Sequence, residues 1–537
     1  MTASSSDSKA AGEIRVTSFE KDLLRNQSSN VDVDVGNVEN KETLTYDKPW
    51  YRVPHFLKLN ILLLMPALAG SINGFDAFLV NSLQIMENWK EYMGNPTGGT
   101  LGALTAGPPI GYLAALWIAK VVSDKHGRKP AMVIGAIITT IGTIIQTFSN
   151  GYACFLVSRI IVGFGSAFYY VAAPAWLAEL AFPEHRSVMV ILFNSSAYVG
   201  GLVATWVSYG TMGLSSTWQW RAPCLSQLVF TIPHLMFIWF LPESPRFLVS
   251  KGMIEKARNI LLRYHGGDDS EKAGTFIDFE LREIELGIEK DREGDKTSFK
   301  AFFQTKGNFH RFMICMFMGF LQYNVGLFAV TYYLNPLLTA AGMSSDRQQM
   351  LVAGGITIFN VFAAYFSSLV VGRFGRRKLF LWNLVGLFIS YFAFVVLSGI
   401  NTETSFQNPA LAKGILAVIF FTYLFYDIGF LGMLLVYITE ITPFALRSGG
   451  VMIYMLSANC WVIFNSFVTP VAMDSIGWRF YIVYACTIVF CFIFIYFFFP
   501  ETKGYYLEEV ALIFDGEAEG KPANLEQIRS YAEVVDA

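Results

Sequence analysis

The sequence predicts an all-α membrane protein: twelve transmembrane helices in two pseudo-symmetric six-helix bundles. Three observations lead there. Hydrophobic residues make up 53% of the 537 residues and charged residues only 15%, too little charge to cover a soluble surface of that size. Twelve apolar stretches, centred near 70, 111, 139, 162, 199, 232, 323, 360, 388, 423, 460 and 489, suit a hydrocarbon core that needs about 20 helical residues per crossing. Finally, three charged marks occur twice in the same order. The first set is Asp124-Lys-His-Gly-Arg128-Lys129, then Glu179-x6-Arg186, then Pro242-Glu-Ser-Pro-Arg246. The second is Gly372-Arg-Phe-Gly-Arg376-Arg377-Lys378, then Glu440-x6-Arg447, then Pro500-Glu-Thr-Lys-Gly504. A nearly constant offset of about 250–260 residues marks an internal duplication, the pattern of carriers that rock about a central site.

Taken in order, residues 1–54 form a polar tail, rich in Ser, Asp and Glu and expected to be disordered and cytoplasmic. Residues 55–242 hold the first bundle, where Gly163, Gly165, Gly200 and Gly201 allow close backbone approach. Residues 243–310 form a charged linker. Within it Ile254–Tyr264 and Phe279–Ile288 carry apolar residues at helical spacing, as amphipathic helices do. The linker reads either as a tether or as a latch that stabilises one conformer. Residues 311–500 hold the second bundle and 501–537 a second cytoplasmic tail.

Lys and Arg cluster at 125–129, 186, 246–263, 373–378 and 447, and are nearly absent from 149–151, 210–220, 337–346 and 399–410. The positive-inside rule then puts both termini and the linker in the cytoplasm. A net charge of −2 suggests no nucleic-acid partner. The six cysteines lie in apolar stretches, so neither a disulfide framework nor a metal site is indicated. No phosphate loop, nucleophile elbow or metal-ligand cluster appears, and the chain is expected to be neither an enzyme nor a cofactor protein.

Asp76 stands in the first apolar stretch. A carboxylate at the bilayer centre costs about 2.5–3.5 kcal/mol, which makes it a functional candidate. Arg159, in the fourth, is its natural partner. Burial favours the protonated acid and a nearby guanidinium the ionised one, so a pair that can separate changes its proton affinity with conformation. A static pair that sets helix packing is the alternative.

Over roughly residues 55–510 the chain resembles the sugar-porter branch of the major facilitator superfamily. Within that branch it is similar to the fungal lactose-permease-like group. The marks are Asn73-Gly-Phe-Asp76, Arg159, Tyr209-Gly-Thr, Trp218-Gln-Trp-Arg221, the two Pro-Glu boxes and Phe464-Asn-Ser-Phe-Val-Thr-Pro470. The resemblance implies the major facilitator fold and proton symport through Asp76 and Arg159. It implies substrate contacts at Asn194, Asn360 and Gln322, an amide and an indole at Asn459 and Trp461, and an outer gate at Tyr332 and Tyr333. On the inner face it implies a gate from Asp124, Arg128, Glu179, Arg186, Arg376, Glu440 and Arg447, paired when the carrier faces outward and parted when it opens inward. For the basic residues the plain alternative is topogenic charge.

One stretch departs from the family. Members that carry sugars usually read Gln-Gln-x-Ser-Gly-x-Asn before the tyrosine pair, whereas this chain reads Gln322-Tyr-Asn-Val-Gly-Leu-Phe328. Tyr323 and Phe328 replace two hydrogen-bonding groups, with Asn324 a substitute if the register slips. The cavity should be more apolar, which leaves a disaccharide, a glycoside or a polyol-like metabolite open as cargo. The expectation is a proton-coupled carrier of a sugar or sugar-like solute, acting as a monomer in the plasma membrane, with solute, protons and the lipid bilayer as its partners. The alternatives are a carrier of a quinate-like acid or secondary metabolite, in which Arg159 faces the substrate carboxylate, and a nutrient sensor that does not transport.

Overall fold

The computed structural model describes residues 50–503, 510 and 513–514, less 267–269, 296–298, 335–337, 340–342, 344, 372–373, 405–408 and 432. The polar N-terminal tail, Gly372 and Arg373 of the second basic mark, Gly504 and almost all of the C-terminal tail lie outside the described residues.

Among the described residues, ten stretches are long and apolar enough to cross a bilayer by length and composition. The last, Gly449–Phe498, contains two helices, Phe444–Ile476 and Phe480–Phe498. Lys306–Asn324 with Leu327–Tyr332 supplies the remaining crossing; Lys306, His310 and Arg311 at its start lower its average hydropathy. Twelve crossings result. The first runs Pro54–Leu83 and is interrupted at Leu68–Ala69, just after Pro66, where the missing N–H and the ring disturb the helix ladder. The seventh is interrupted at Gly326, whose φ of +94° is left-handed. A Cβ there would also lie 2.2 Å from the Tyr391 ring.

Each bundle repeats one packing scheme. In the first, the first crossing packs on the fifth (Arg186–Thr211), and the second (Gly98–His126) and third (Arg128–Thr147) on the fourth (Tyr152–Leu180). In the second, the seventh packs on the eleventh, and the eighth (Asp346–Val371) and ninth (Arg376–Glu403) on the tenth (Pro409–Gly429, then Met433–Ile441). The glycines permit this closeness: a Cβ on Gly200 would sit 2.0 Å from the Ser71 carbonyl oxygen, and one on Gly163 2.1 Å from that of Pro108. With little hydrophobic drive between helices in lipid, such backbone approach supplies much of the packing. The bundles meet along two seams, second against eleventh and fifth against eighth.

The linker contains two helices. Ile254–Leu261 continues into a wider turn, Leu262–Gly266, and the second helix covers Ser270–Asp295. Ala257, Leu261, Ile277 and Leu281 pack on Phe247 and Leu248 in a small core of their own. Arg186, at the start of the fifth crossing, pairs with Glu280 at 2.9 Å. The His265 ring lies between Glu280 (2.9 Å) and the Leu180 carbonyl (3.1 Å). The long linker helix also packs on the eleventh crossing, so it touches both bundles.

Candidate functional site

The interrupted first crossing presents Asp76 to the interior, and the fourth presents Arg159 to meet it. Arg159 Nη1 donates to Asp76 Oδ1 at 2.6 Å. The two side chains are 1% and 4% exposed. Arg159 Nε also donates to the Leu104 carbonyl at 3.2 Å. Burial strengthens the attraction between the two charges, but taking both out of water offsets much of that gain.

The pair borders a central cavity of about 290 Å³ between the bundles. Among the predicted contacts, Asn194, Gln322, Tyr323, Asn459 and Tyr332 line it. Gln322 is held in place, its Oε1 accepting from the Tyr454 hydroxyl at 2.9 Å. Three predicted substrate contacts, and the gate residue Tyr333, are not in the lining. Phe328 is buried beside it and stacks on Tyr332, ring centroids 4.6 Å apart. Trp461 turns away to meet Phe320 edge-on at 4.8 Å. Asn360 is fully buried and neither amide atom finds a partner among the described residues. Asn324 does not compensate for the changed seventh crossing, because its amide bonds Asn465 and the Phe320 carbonyl.

The tyrosines Tyr112, Tyr170, Tyr426 and Tyr454, with Asn73, are lining residues that sequence reasoning misses. It also misses a second buried acid. Asp427, in the tenth crossing, is fully buried. It accepts a hydrogen bond from the Tyr198 hydroxyl of the fifth crossing at 2.5 Å, while its other oxygen has no partner among the described residues. The bond spans the two bundles.

On the face away from the basic marks, called the outer face here, hydrogen bonds close the seam. Gln84 donates to the Tyr332 carbonyl at 2.9 Å, and the Leu334 N–H donates to Asn81 Oδ1 at 3.2 Å. The Tyr333 hydroxyl bonds Thr105 Oγ1 at 2.7 Å and the Ser466 carbonyl at 2.8 Å.

On the opposite face the duplicated marks gather into two matching clusters. Arg128 grips Glu179 through two bonds of 2.9 and 3.0 Å, and Asp124 joins at 3.3 Å. Ser244 donates to Glu179 at 2.6 Å, and Glu243 accepts the Arg128 N–H at 3.0 Å, capping the third crossing. The second bundle repeats this arrangement, except that Gly372 stands where the first has Asp124. Arg376 bonds Glu440 at 3.0 Å, Thr502 donates to Glu440 at 2.5 Å, and Glu501 accepts the Arg376 N–H at 2.7 Å. A Cβ on Gly127 or Gly375 would lie 2.5 Å from the oxygen of Glu243 or Glu501, so the repeated glycine makes room for the capping carboxylate. Burial pushes the Glu243 carboxyl up, against the pull of three backbone N–H groups. All these bonds join helices of one bundle, and they are intact while the outer seam is shut. Arg186 pairs with Glu280 of the linker instead of with Glu179. Arg447 stands in the first turn of the eleventh crossing. Among the described residues no three His, Cys, Asp or Glu side chains gather as a metal site.

Two repeated bundles, a cavity between them, a buried ion pair on its wall and one closed seam define a membrane carrier. The sequence matches the profile of the family Sugar (and other) transporter over residues 62–514, and the chain belongs to that family. It is 28% identical to the MFS-type transporter oryC of Aspergillus oryzae, over 82% of each chain. It is 27% identical to the Sugar transporter STL1 of Saccharomyces cerevisiae, over 89% of this chain and 86% of that one. Among solved structures, the proton:xylose symporter XylE bound to 6-bromo-6-deoxy-D-glucose shares the fold. Its TM-score is 0.69 at 22% identity, over 85% of this chain and 99% of that one.

Proposed function

We propose that this protein moves a sugar or sugar-like solute across a membrane by alternating access, unchanged chemically and driven by symported protons. The observation that carries the reading is the Asp76–Arg159 pair at the cavity wall. A carboxylate held by one guanidinium binds a proton when the guanidinium withdraws. Tyrosine rings and the amides of Asn73, Asn194 and Asn459 line the same space, suiting the C–H faces and hydroxyls of a sugar. The hexose and sugar transporters among the relatives support the cargo class.

The Arg128–Glu179 and Arg376–Glu440 clusters act as braces that keep each bundle rigid, with the linker spanning between them. Charge bias supports cytoplasmic termini, and a single chain encloses the whole cavity, as a monomeric carrier requires. The proposed address is the plasma membrane.

A second reading keeps the mechanism and changes the cargo to a more apolar metabolite. Leu431, Leu434 and Leu435 of the tenth crossing, lining the cavity, favour it. Uptake of labelled sugars, glycosides and acids, with and without a protonophore, in cells lacking their own porters tests both. Protonophore-sensitive accumulation of a sugar supports the first reading. Uptake confined to non-sugars supports the second, and a protein that moves nothing refutes both.

A further inference from the structure

A second hollow, of about 490 Å³, opens on the outside of the first bundle, away from the central cavity. Its apolar wall is Ile61, Leu62 and Met65 of the first crossing with Phe237 and Phe240 at the end of the sixth (Trp218–Phe240). Lys58 and Arg263 border it beside Tyr264. Both cations are exposed, and neither has an acidic partner among the described residues. Arg263 makes only a ring contact with Tyr264, 5.7 Å to its centroid.

The surroundings of this hollow carry exposed aromatic and basic side chains. Tyr51, 54% exposed, and Trp239, 64% exposed, stand at the ends of the two wall helices. Arg52 lies over Tyr51 and Lys129 over Trp239. Exposed aromatic rings with basic neighbours mark the headgroup level of a bilayer. The hollow straddles that level. Lys58 and the linker residue Arg263 form its polar border, and Ile61, Leu62, Met65, Phe237 and Phe240 its apolar side.

We infer that this hollow binds one anionic glycerophospholipid of the cytoplasmic leaflet, its phosphate on Lys58 and Arg263 and its acyl chain along Ile61, Met65 and Phe237. Two unpaired cations are complementary to an anionic headgroup, and the apolar wall is complementary to a chain; a free anion uses only the first and a neutral lipid only the second. A lipid seated here joins the first crossing to the linker, so it steadies the linker against the first bundle. The leaflet rests on the sidedness proposed above, but the binding does not, and it is read without transport.

The test is native mass spectrometry of the purified full-length protein in detergent, titrated with phosphatidylserine or phosphatidylcholine of matched chains. Each basic side chain near a membrane surface contributes about 1 kcal/mol toward an anionic lipid. Two give wild type about a thirtyfold preference for phosphatidylserine. Lys58→Ala with Arg263→Ala brings the preference close to one, while Lys58→Arg keeps it. Met65→Trp, which fills the apolar wall, weakens both lipids with the headgroup cations in place. Equal binding of the two lipids by wild type overturns the proposal. So does a double alanine variant that keeps the preference, or displacement of the lipid by millimolar inorganic phosphate alone. A thermal melt checks that each variant stays folded, the half-buried Met65→Trp included.

Discussion

Replacing Asp76 by Asn removes one charge and little volume. The acid and Arg159 are almost wholly buried, 2.6 Å apart. Deleting one member of such a pair strands a bare charge, at about 3–5 kcal/mol, so Asp76→Ala reports on folding as much as on transport. Asn leaves an oxygen to accept from the guanidinium, which also keeps the Leu104 carbonyl at 3.2 Å, and the fold survives. The effect then falls on coupling. One proton moving down 100 mV supplies about 2.3 kcal/mol. At 1.4 kcal/mol per decade that sustains about fiftyfold accumulation. The assay uses proteoliposomes loaded with potassium and treated with valinomycin, measuring labelled solute at steady state and, separately, exchange without a gradient. Wild type should concentrate its solute by tens of fold. Asp76→Asn should settle near onefold while exchange stays within a few-fold of wild type. Full accumulation by Asp76→Asn would show that the proton is carried elsewhere and that the pair is only structural.

Other substitutions test other parts of the structure. Gly375→Ala places a Cβ 2.5 Å from Glu501 and should lower stability by about 1–3 kcal/mol, read as a fall in unfolding temperature that Gly375→Ala with Glu501→Ala partly recovers. Tyr198→Phe strips Asp427 of its hydrogen bond across the bundles and should weaken the described conformer by about 1–3 kcal/mol; labelling of cysteines placed on the outer seam should rise as that seam opens more often. Phe328→Asn puts an amide where Phe328 stacks on Tyr332, and an uptake panel should shift toward more polar sugars, an unchanged profile counting against the aromatic account.

The fold is legible in the sequence because hydropathy and the duplicated marks are properties of long stretches and survive errors in any one residue. The Arg128–Glu179 and Arg376–Glu440 clusters are traceable to the sequence for the same reason, since each mark appears twice. Individual cavity contacts are not. The interior wall depends on how each helix is rotated about its axis, which neighbouring helices decide. Trp461 and Asn459 are two residues apart in the eleventh crossing, yet only Asn459 reaches the cavity. Tyrosines are hard to place for the same reason: the chain has 25 of them, and the sequence does not say which few point inward. Asp427 is a different case. It stands in an apolar run, in Phe425-Tyr-Asp-Ile-Gly429, and the rule that singles out Asp76 applies to it equally. Its partner Tyr198 comes from the other bundle, and the sequence carries no trace of that pairing. The linker's grip on the first bundle through Arg186 and Glu280 is likewise tertiary, between residues far apart in the chain.

Alternating access requires the outer seam to open in every cycle. The Leu334 N–H meets Asn81 Oδ1 at 3.2 Å across that seam, so an Asn81→Cys, Leu334→Cys pair placed in an otherwise cysteine-free background should cross-link on oxidation and lock it. The account predicts that oxidation stops uptake of whichever solute the protein carries, that reduction restores it, and that neither single variant responds. Uptake continuing at its full rate in fully cross-linked protein would contradict it.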